Sequence, residues 1–96
     1  MKIAIASEGK TQESEISEKG GRAPFYLIFK DKKLVEAIKN PFATGGGGAG
    51  WSVAFMLADK KVDKVIAGRI GPNMITALEQ KNMKFQEASG KVGDFV

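Results

Sequence analysis

The sequence contains no cysteine and no histidine. Without cysteine the chain cannot form a disulfide or hold a metal through a thiolate, and without histidine it lacks the most common metal ligand. Catalytic sets that pair serine or cysteine with histidine are excluded for the same reason. Carboxylates, lysines, arginines and hydroxyl groups are the side chains that remain for any chemistry.

Long apolar runs are also missing from the chain. The longest, Val53–Ala58, is far shorter than the about 20 residues that cross a bilayer. The apolar start Met1–Ala6 is too short for the core of a signal peptide, and polar residues follow it at once. We therefore expect a cytoplasmic protein that does not associate with membranes.

The chain has 96 residues, of which 43% are hydrophobic and 27% are charged, a composition typical of one globular domain over residues 1–96. Its net charge is +4, but the lysines are spread along the chain, which favours a solvated surface over a polyanion-binding face. The aromatic residues near Phe25 lie in a run typical of a buried strand and not of a surface for stacking bases. We expect a monomer that does not bind nucleic acid.

Hydrophobic periodicity and turn residues predict the secondary structure. The predicted elements are strands at Lys2–Ala6, Phe25–Lys30, Lys33–Lys39 and Met83–Glu87, a turn into a short buried strand within Val62–Ala67, and helices from Trp51 to about Lys61 and from Pro72 to about Lys81. Asp31 and Lys32 form a tight turn between the second and third strands. Residues Ser7–Ala23 are a long polar loop, and Ala88–Val96 have no period and are read as coil or a frayed end.

This order of elements predicts an α/β fold with a mixed five-stranded sheet of order 3-2-1-4-5, in which only strand 2 is antiparallel. Strands 1, 3, 4 and 5 then point the same way, so the segments after them gather at one edge of the sheet. These segments are Ser7–Ala23, Asn40–Gly50, Gly68–Asn73 and the tail. Ligands of open α/β sheets bind at such an edge.

A glycine-rich stretch, TGGGGAGW at Thr44–Trp51, precedes the first predicted helix. Exposed backbone N–H groups that lead into a helix start predict an anion-binding site. Gly45, Gly46, Gly47, Gly48 and Gly50 are the candidate residues of this stretch. We interpret the stretch as a mobile flap at the edge of the sheet, poorly ordered without a ligand.

The glycine spacing also matches two nucleotide motifs, but its surroundings do not. A dinucleotide fingerprint needs a tight turn directly after a strand and an acidic residue at the end of the next strand, and neither is present. A phosphate-binding loop needs lysine where this chain has Trp51. The central strands lack the carboxylates of two-metal nucleases, and Glu13, Glu15 and Glu18 are more typical of a solvated loop than of acid/base catalysis. No catalytic residue is predicted, and we do not expect an enzyme.

Arg22 and Arg69 are the only arginines, and both lie in loops at the predicted edge. A guanidinium group makes two parallel hydrogen bonds to carboxylate or phosphate-like oxygens. The two arginines therefore predict an anion site together with the glycine stretch. In the alternative interpretation, each arginine only ties its loop to a neighbouring carbonyl or glutamate.

Several stretches together resemble the dinitrogenase iron-molybdenum cofactor biosynthesis and binding family. They cover nearly the whole chain and read MKIAIAS at Met1–Ser7, GRAPFYLI at Gly21–Ile28, NP at Asn40-Pro41, GGAGWSVAFMLADKKVDKVIAGRIGPN at Gly47–Asn73 and ALEQKNMKF at Ala77–Phe85. The resemblance implies a ribonuclease-H-like fold. It also implies a protein that binds or carries the iron-molybdenum cofactor or an iron-sulfur precursor, with cofactor-assembly proteins as partners.

One departure from the family pattern concerns Lys19. Many members read HFGRAP where this chain has KGGRAP, so Lys19 stands at the place of the histidine while Arg22 is kept. Since cysteine is absent as well, a cluster would be held through its outer anionic groups and no metal ligand is predicted. The candidate binding residues are Lys19, Arg22, Gly45, Gly46, Gly47, Gly48, Gly50, Arg69 and Asn73. The alternatives are a binder of a phosphorylated metabolite or nucleotide, and a protein-interaction module with no small ligand.

Overall fold

Five strands and two α-helices make up the fold, and the computed structural model describes residues 1–96. The elements are β1 (Lys2–Ser7), β2 (Phe25–Lys30), β3 (Lys33–Lys39), α1 (Ala49–Asp59), β4 (Lys64–Ala67), α2 (Pro72–Gln80) and β5 (Lys84–Glu87), followed by a 3₁₀ helix at Val92–Phe95. Helix α1 begins at Ala49 and not at Trp51 as predicted, because the glycine stretch turns directly into the helix. Neither α1 nor α2 has the length and apolar composition of a membrane-spanning helix.

The strands form one mixed sheet in the order β3-β2-β1-β4-β5, which confirms the predicted α/β topology. β2 is antiparallel to β1 and to β3, whereas β1 with β4 and β4 with β5 are parallel pairs. The carboxyl ends of β1, β3, β4 and β5 therefore lie at one edge, which we call the carboxyl rim. The ribonuclease-H-like classification stays a prediction.

The turns at the ends of elements follow from local residue chemistry. Asp31 and Lys32 have φ of 51° and 70° and close the β2–β3 hairpin in two residues, a turn whose twist suits antiparallel strands. Pro72 is the first residue of α2, where its missing N–H is not needed. Asn82, with φ of 57°, ends the turn after α2 in the left-handed conformation. These predictions are confirmed.

Both helices pack on the same face of the sheet. The connections β3–α1–β4 and β4–α2–β5 step across the sheet in the same direction, so crossovers of one handedness place both helices on one side. The core on this side combines sheet residues Ala4, Ala6, Tyr26, Ile28, Val65 and Ala67 with helix residues Val53, Ala54, Leu57, Met74, Ala77 and Leu78.

The opposite face of the sheet is covered by the Ser7–Ala23 loop and the tail. Ile16 and Val92 are buried there against sheet residues such as Leu27. The Val92 N–H donates to the carbonyl of Ser14 at 3.0 Å, and a 3₁₀ helix follows. Reading Ala88–Val96 as coil or a frayed end was therefore wrong. Ile16 from the loop and Val92 from the tail are buried at this face, and Ala88, Phe95 and Val96 pack beside them at irregular spacing, so neither segment shows an apolar period.

Candidate functional site

Two loops of the carboxyl rim are joined through their backbones. The Gly68 N–H donates to the carbonyl of Ser17 at 2.8 Å, and the Gly20 N–H donates to the carbonyl of Arg69 at 2.9 Å. A Cβ on Gly68 would lie 2.5 Å from the Cα of Glu18, closer than two carbon atoms can approach. The loop after β4 can therefore reach the loop after β1 only because residue 68 has no side chain.

The starts of α1 and α2 lie against each other and against the same loop. A Cβ on Gly50 would lie 2.9 Å from the Cβ of Met74, and a Cβ on Gly21 would lie 3.0 Å from the backbone nitrogen of Gly50. Glycine at these positions permits the close approach of the three segments. Gly50 thus has a packing role that was not predicted from the sequence.

A cleft of about 280 Å³ lies between the two helix starts, and we call it the helix-start cleft. Its lining residues are Gly21, Arg22, Ala49, Gly50, Gly71, Pro72, Asn73 and Met74. No carboxylate is among them. Neither helix has a side-chain cap or an acidic residue in its first turn. The positive ends of two helix dipoles therefore meet at one cleft, an arrangement that favours an anion.

Free backbone donors reinforce this electrostatic preference. The first N–H groups of α1, those of Ala49, Gly50 and Trp51, donate to no protein acceptor, and the same is true of Asn73 and Met74 in α2. Each helix has such groups in its first turn because no residue four positions earlier is in the helix. Water or a ligand must satisfy them. The cleft therefore offers hydrogen-bond donors without a competing carboxylate.

Arg22 contacts the glycine stretch from the neighbouring loop. Its Nη1 donates to the carbonyl of Phe42 at 3.1 Å, and its Nη2 donates to the carbonyl of Gly46. The side chain is half-buried and also lines the helix-start cleft. The alternative interpretation, in which the arginine ties loops together through carbonyls, therefore describes its contacts in this structure.

Asn40 is the buried residue that joins these loops, with 4% of its surface exposed. Its Nδ2 donates to the carbonyls of Ala23 at 2.9 Å and Gly21 at 3.2 Å, the two neighbours of Arg22. Its Oδ1 accepts from the N–H of Phe42 at 3.0 Å. From the sequence, Asn40 was identified only as the first residue of the segment after β3 and as part of the NP stretch of the resemblance. A sequence pattern does not distinguish a buried asparagine from an exposed one. The position of Asn40 in a stretch that resembles the family was the only signal that could have pointed to it.

Tyr26 supports the same loop from below. Its hydroxyl donates to the carbonyl of Gly20 at 2.5 Å, and the side chain is fully buried. Burial raises the pKa of Tyr26 well above its ordinary value, because the phenolate would lose its hydration. The phenol therefore stays protonated and keeps donating to the Gly20–Arg22 segment near neutral pH.

The other two predicted cations lie beside carboxylates. Arg69 is exposed and lines a separate cleft with Glu18 and Glu87. Lys19 is exposed and lines a third cleft with Arg22 and three glutamates. Of the predicted residues, the structure brings Arg22, Gly50 and Asn73 to the helix-start cleft. No group of three or more carboxylates is arranged to hold a metal ion.

The remaining predicted residues, Gly45–Gly48, form an exposed loop next to Arg22. A Cβ at any of these four positions would meet no atom within 4 Å, so packing does not require glycine there. Gly48 has φ of 84° and precedes α1 in the left-handed conformation. The stretch therefore leads into a helix start as predicted.

Comparisons with known proteins agree with this architecture. Residues 1–96 match the family model described as dinitrogenase iron-molybdenum cofactor. The apo orange protein from Desulfovibrio gigas is 26% identical, with a TM-score of 0.89, and the match covers 97% of this chain and 81% of that one. A NifB-like protein of the DUF35 family from Thermotoga is 29% identical, with a TM-score of 0.80 and the same coverages. No curated protein matches the sequence.

Proposed function

The chain belongs to the dinitrogenase iron-molybdenum cofactor family, and from this membership we propose that it is a small non-enzymatic carrier of an anionic metal cluster or cluster precursor. The cargo binds at the helix-start cleft. The observation that carries the proposal is the meeting of Arg22 with the uncapped starts of α1 and α2 in a cleft without a carboxylate.

The residues at the cleft determine how such a cargo is held. With no cysteine or histidine in the chain, iron is not ligated through a thiolate or an imidazole of the protein. Outer sulfur or oxygen atoms of the cargo instead accept hydrogen bonds from Arg22 and from the first N–H groups of both helices. Charge-assisted bonds of this kind are about twice as strong as those between neutral groups.

The same residues support carriage in preference to catalysis. Arg22 and Asn73 are the polar side chains that line the cleft, and neither acts as a general base at neutral pH. We propose that the protein acts as a cytoplasmic monomer and exchanges its cargo with cofactor-assembly proteins. Lys19, Arg69 and Gly45–Gly48 then belong to the surroundings of the cleft.

A phosphorylated metabolite or a nucleotide is the second candidate ligand. Two uncapped helix starts and an arginine are also the donor set that recognises phosphate. A cleft of about 280 Å³ accommodates a phosphate group with part of a small metabolite. If experiment excludes a metal cargo, the same residues favour a phosphorylated metabolite or a nucleotide as the ligand.

Anaerobic titration with the iron-molybdenum cofactor or its precursor tests the proposal. We expect a change in the visible absorption of the cofactor and a mobility shift of the protein on a native gel. If neither changes, the proposed cargo is wrong. A thermal-shift screen with phosphorylated metabolites then tests the second candidate, since a ligand at 100 times its Kd adds about 2.7 kcal/mol of stability.

Variants of the two arginines show where the anion binds. Arg22→Ala removes charge-assisted bonds and should weaken binding about 10- to 100-fold. Arg69→Ala should weaken it less than about 3-fold, because Glu18 and Glu87 share the cleft of Arg69. Lys33→Ala, a charge change at the amino end of β3, is the matched control. Equal losses for both arginine variants would place the anion elsewhere on the rim.

A further inference from the structure

Arg22 already donates hydrogen bonds to two backbone carbonyls, one within the glycine stretch and one just before it. Its two terminal nitrogens each donate to one backbone carbonyl, that of Phe42 and that of Gly46. A guanidinium group uses this fork for the two oxygens of a carboxylate or a phosphate. The Gly46 carbonyl therefore stands where one oxygen of an anion would bind, although a neutral carbonyl is a weaker acceptor, and the Nε–H beside Nη2 donates to no protein acceptor.

The segment around Gly46 is held to the rest of the protein by Arg22 alone. Residues 44–47 make no other hydrogen bond. The positions where Cβ atoms of Gly45–Gly48 would lie are open to 4 Å and these residues are exposed, so little packing opposes movement of the segment. Phe42 differs, because its N–H donates to Asn40 and its ring packs against the core. Of the two carbonyls, that of Gly46 is the one free to leave.

We infer that the Gly46 carbonyl is an internal competitor for Arg22, and that the cleft selects anions with two acceptor atoms on one centre, such as phosphate. Such an anion replaces the Gly46 carbonyl on Nη2, takes the neighbouring Nε–H as its second donor while the Phe42 carbonyl stays on Nη1, and releases residues 44–47. A monatomic anion cannot supply two acceptors in the fork. The inference rests on the proposed function, because it concerns the same cleft and the same arginine.

Competition for Arg22 predicts that residues 44–47 respond to a ligand in the opposite way to a flap. A flap becomes ordered when its ligand binds, as we expected from the sequence. A competitor is held in the free protein and becomes mobile when the anion binds. The two behaviours are separated by measuring backbone order in Gly45–Gly47 with and without an anion.

The test is an NMR titration of ¹⁵N-labelled protein with inorganic phosphate, and with sodium chloride at equal ionic strength. We expect phosphate to shift the Arg22 Nε–H signal and the Gly46 and Gly47 amides along one saturation curve. The heteronuclear NOE of Gly45–Gly47 should fall at the same time. Chloride should leave these signals in place.

Three outcomes would overturn the inference. If phosphate shifts the amides of Gly50 and Asn73 but not those of Gly46 and Gly47, the cleft binds anions without displacing the loop, and the proposed function stands. If chloride moves the loop signals as phosphate does, the requirement for two acceptors is wrong. If phosphate moves nothing while the cofactor titration succeeds, the ligand class is wrong and the carrier function is retained.

A longer loop provides a matched test that leaves Arg22 and both helices intact. Inserting two glycines between Gly46 and Gly47 lowers the effective concentration of the carbonyl at the guanidinium, so phosphate should bind about 3- to 10-fold more tightly. Arg22→Lys, which keeps the charge but not the fork, should free the loop and remove the preference for phosphate over chloride. Unchanged or weaker phosphate binding by the lengthened loop would show that the loop does not compete.

Discussion

Two groups of glycines at the carboxyl rim have opposite surroundings. Gly20, Gly21, Gly50 and Gly68, the packed glycines, leave no room for a Cβ, which would approach other atoms to between 2.5 and 3.0 Å. Gly45–Gly48, the open glycines, leave at least 4 Å around the same position. The packed glycines bring the loops after β1 and β4 and the starts of α1 and α2 close together. The open glycines form an exposed loop whose movement little packing opposes.

The difference teaches that glycine density alone does not locate a binding site. Arg22 attaches the run of four open glycines to the rim, whereas the packed glycines Gly21 and Gly50 line the helix-start cleft. Gly50 belongs to the same sequence stretch as the open glycines and yet packs against Met74. A glycine that permits the close approach of two segments and a glycine in an open loop are the same letter in the sequence.

The largest expected effect comes from adding one methyl group to a packed glycine. Gly68→Ala should lower the free energy of unfolding by about 3 kcal/mol, since the methyl group overlaps the backbone at Glu18. Gly46→Ala is the matched change among the open glycines and should alter the free energy of unfolding by less than about 0.5 kcal/mol. Urea denaturation of both variants measures the difference. Equal urea midpoints for the two variants would contradict the distinction between packed and open glycines.

The next effect tests the residue that links the two groups. Asn40→Asp replaces the Nδ2 donor by an acceptor that faces the carbonyls of Gly21 and Ala23, and should cost about 2–3 kcal/mol. Asn82→Asp is the control, because Asn82 is exposed and aspartate tolerates its left-handed backbone. Both variants are compared by thermal unfolding. If Asn40→Asp loses no more stability than the control, the amide of Asn40 does not link the loops.

Tyr26→Phe should cost about 1–2 kcal/mol at pH 7, because the Gly20 carbonyl loses its buried donor. The raised pKa of Tyr26 also predicts the pH dependence. The folded state keeps the proton more tightly than the unfolded state, so this stabilisation is complete below about pH 10 and is lost as the pH rises from there towards the folded-state pKa. The advantage of wild type over the variant should therefore shrink by about 1.4 kcal/mol per pH unit above pH 10. An advantage that stays constant between pH 9 and about pH 11 would contradict this account.

The smallest effect lies within the open group. Gly48→Ala should cost about 1 kcal/mol, because φ of 84° at this position strains any residue with a Cβ. Gly47→Ala has no such φ and no nearby atom, so it should be close to neutral. Chemical denaturation of the pair separates backbone strain from packing. A neutral Gly48→Ala would mean that the α1 start adapts to another backbone conformation.

The sequence predicted the fold much better than the surroundings of the site. Strands, helices and the turn at Asp31-Lys32 follow from short periods and local turn chemistry, and each is present. Arg22 was identified as a rim residue, but its bonds to the Phe42 and Gly46 carbonyls were left as one of two interpretations. Asn40 was missed as a buried amide. Arg69 and Lys19 were grouped with Arg22, although glutamates accompany them in other clefts.

The sequence by itself determined the elements and the sheet order, because periodicity acts over a few neighbouring residues and short connections restrict the topology. The tertiary structure decided which glycines are packed, which asparagine is buried and which segment covers the open face. These depend on approaches between distant residues, such as Gly68 to Glu18 and Val92 to Ser14. No local pattern contains such distances, since they exist only after the sheet has brought the loops together.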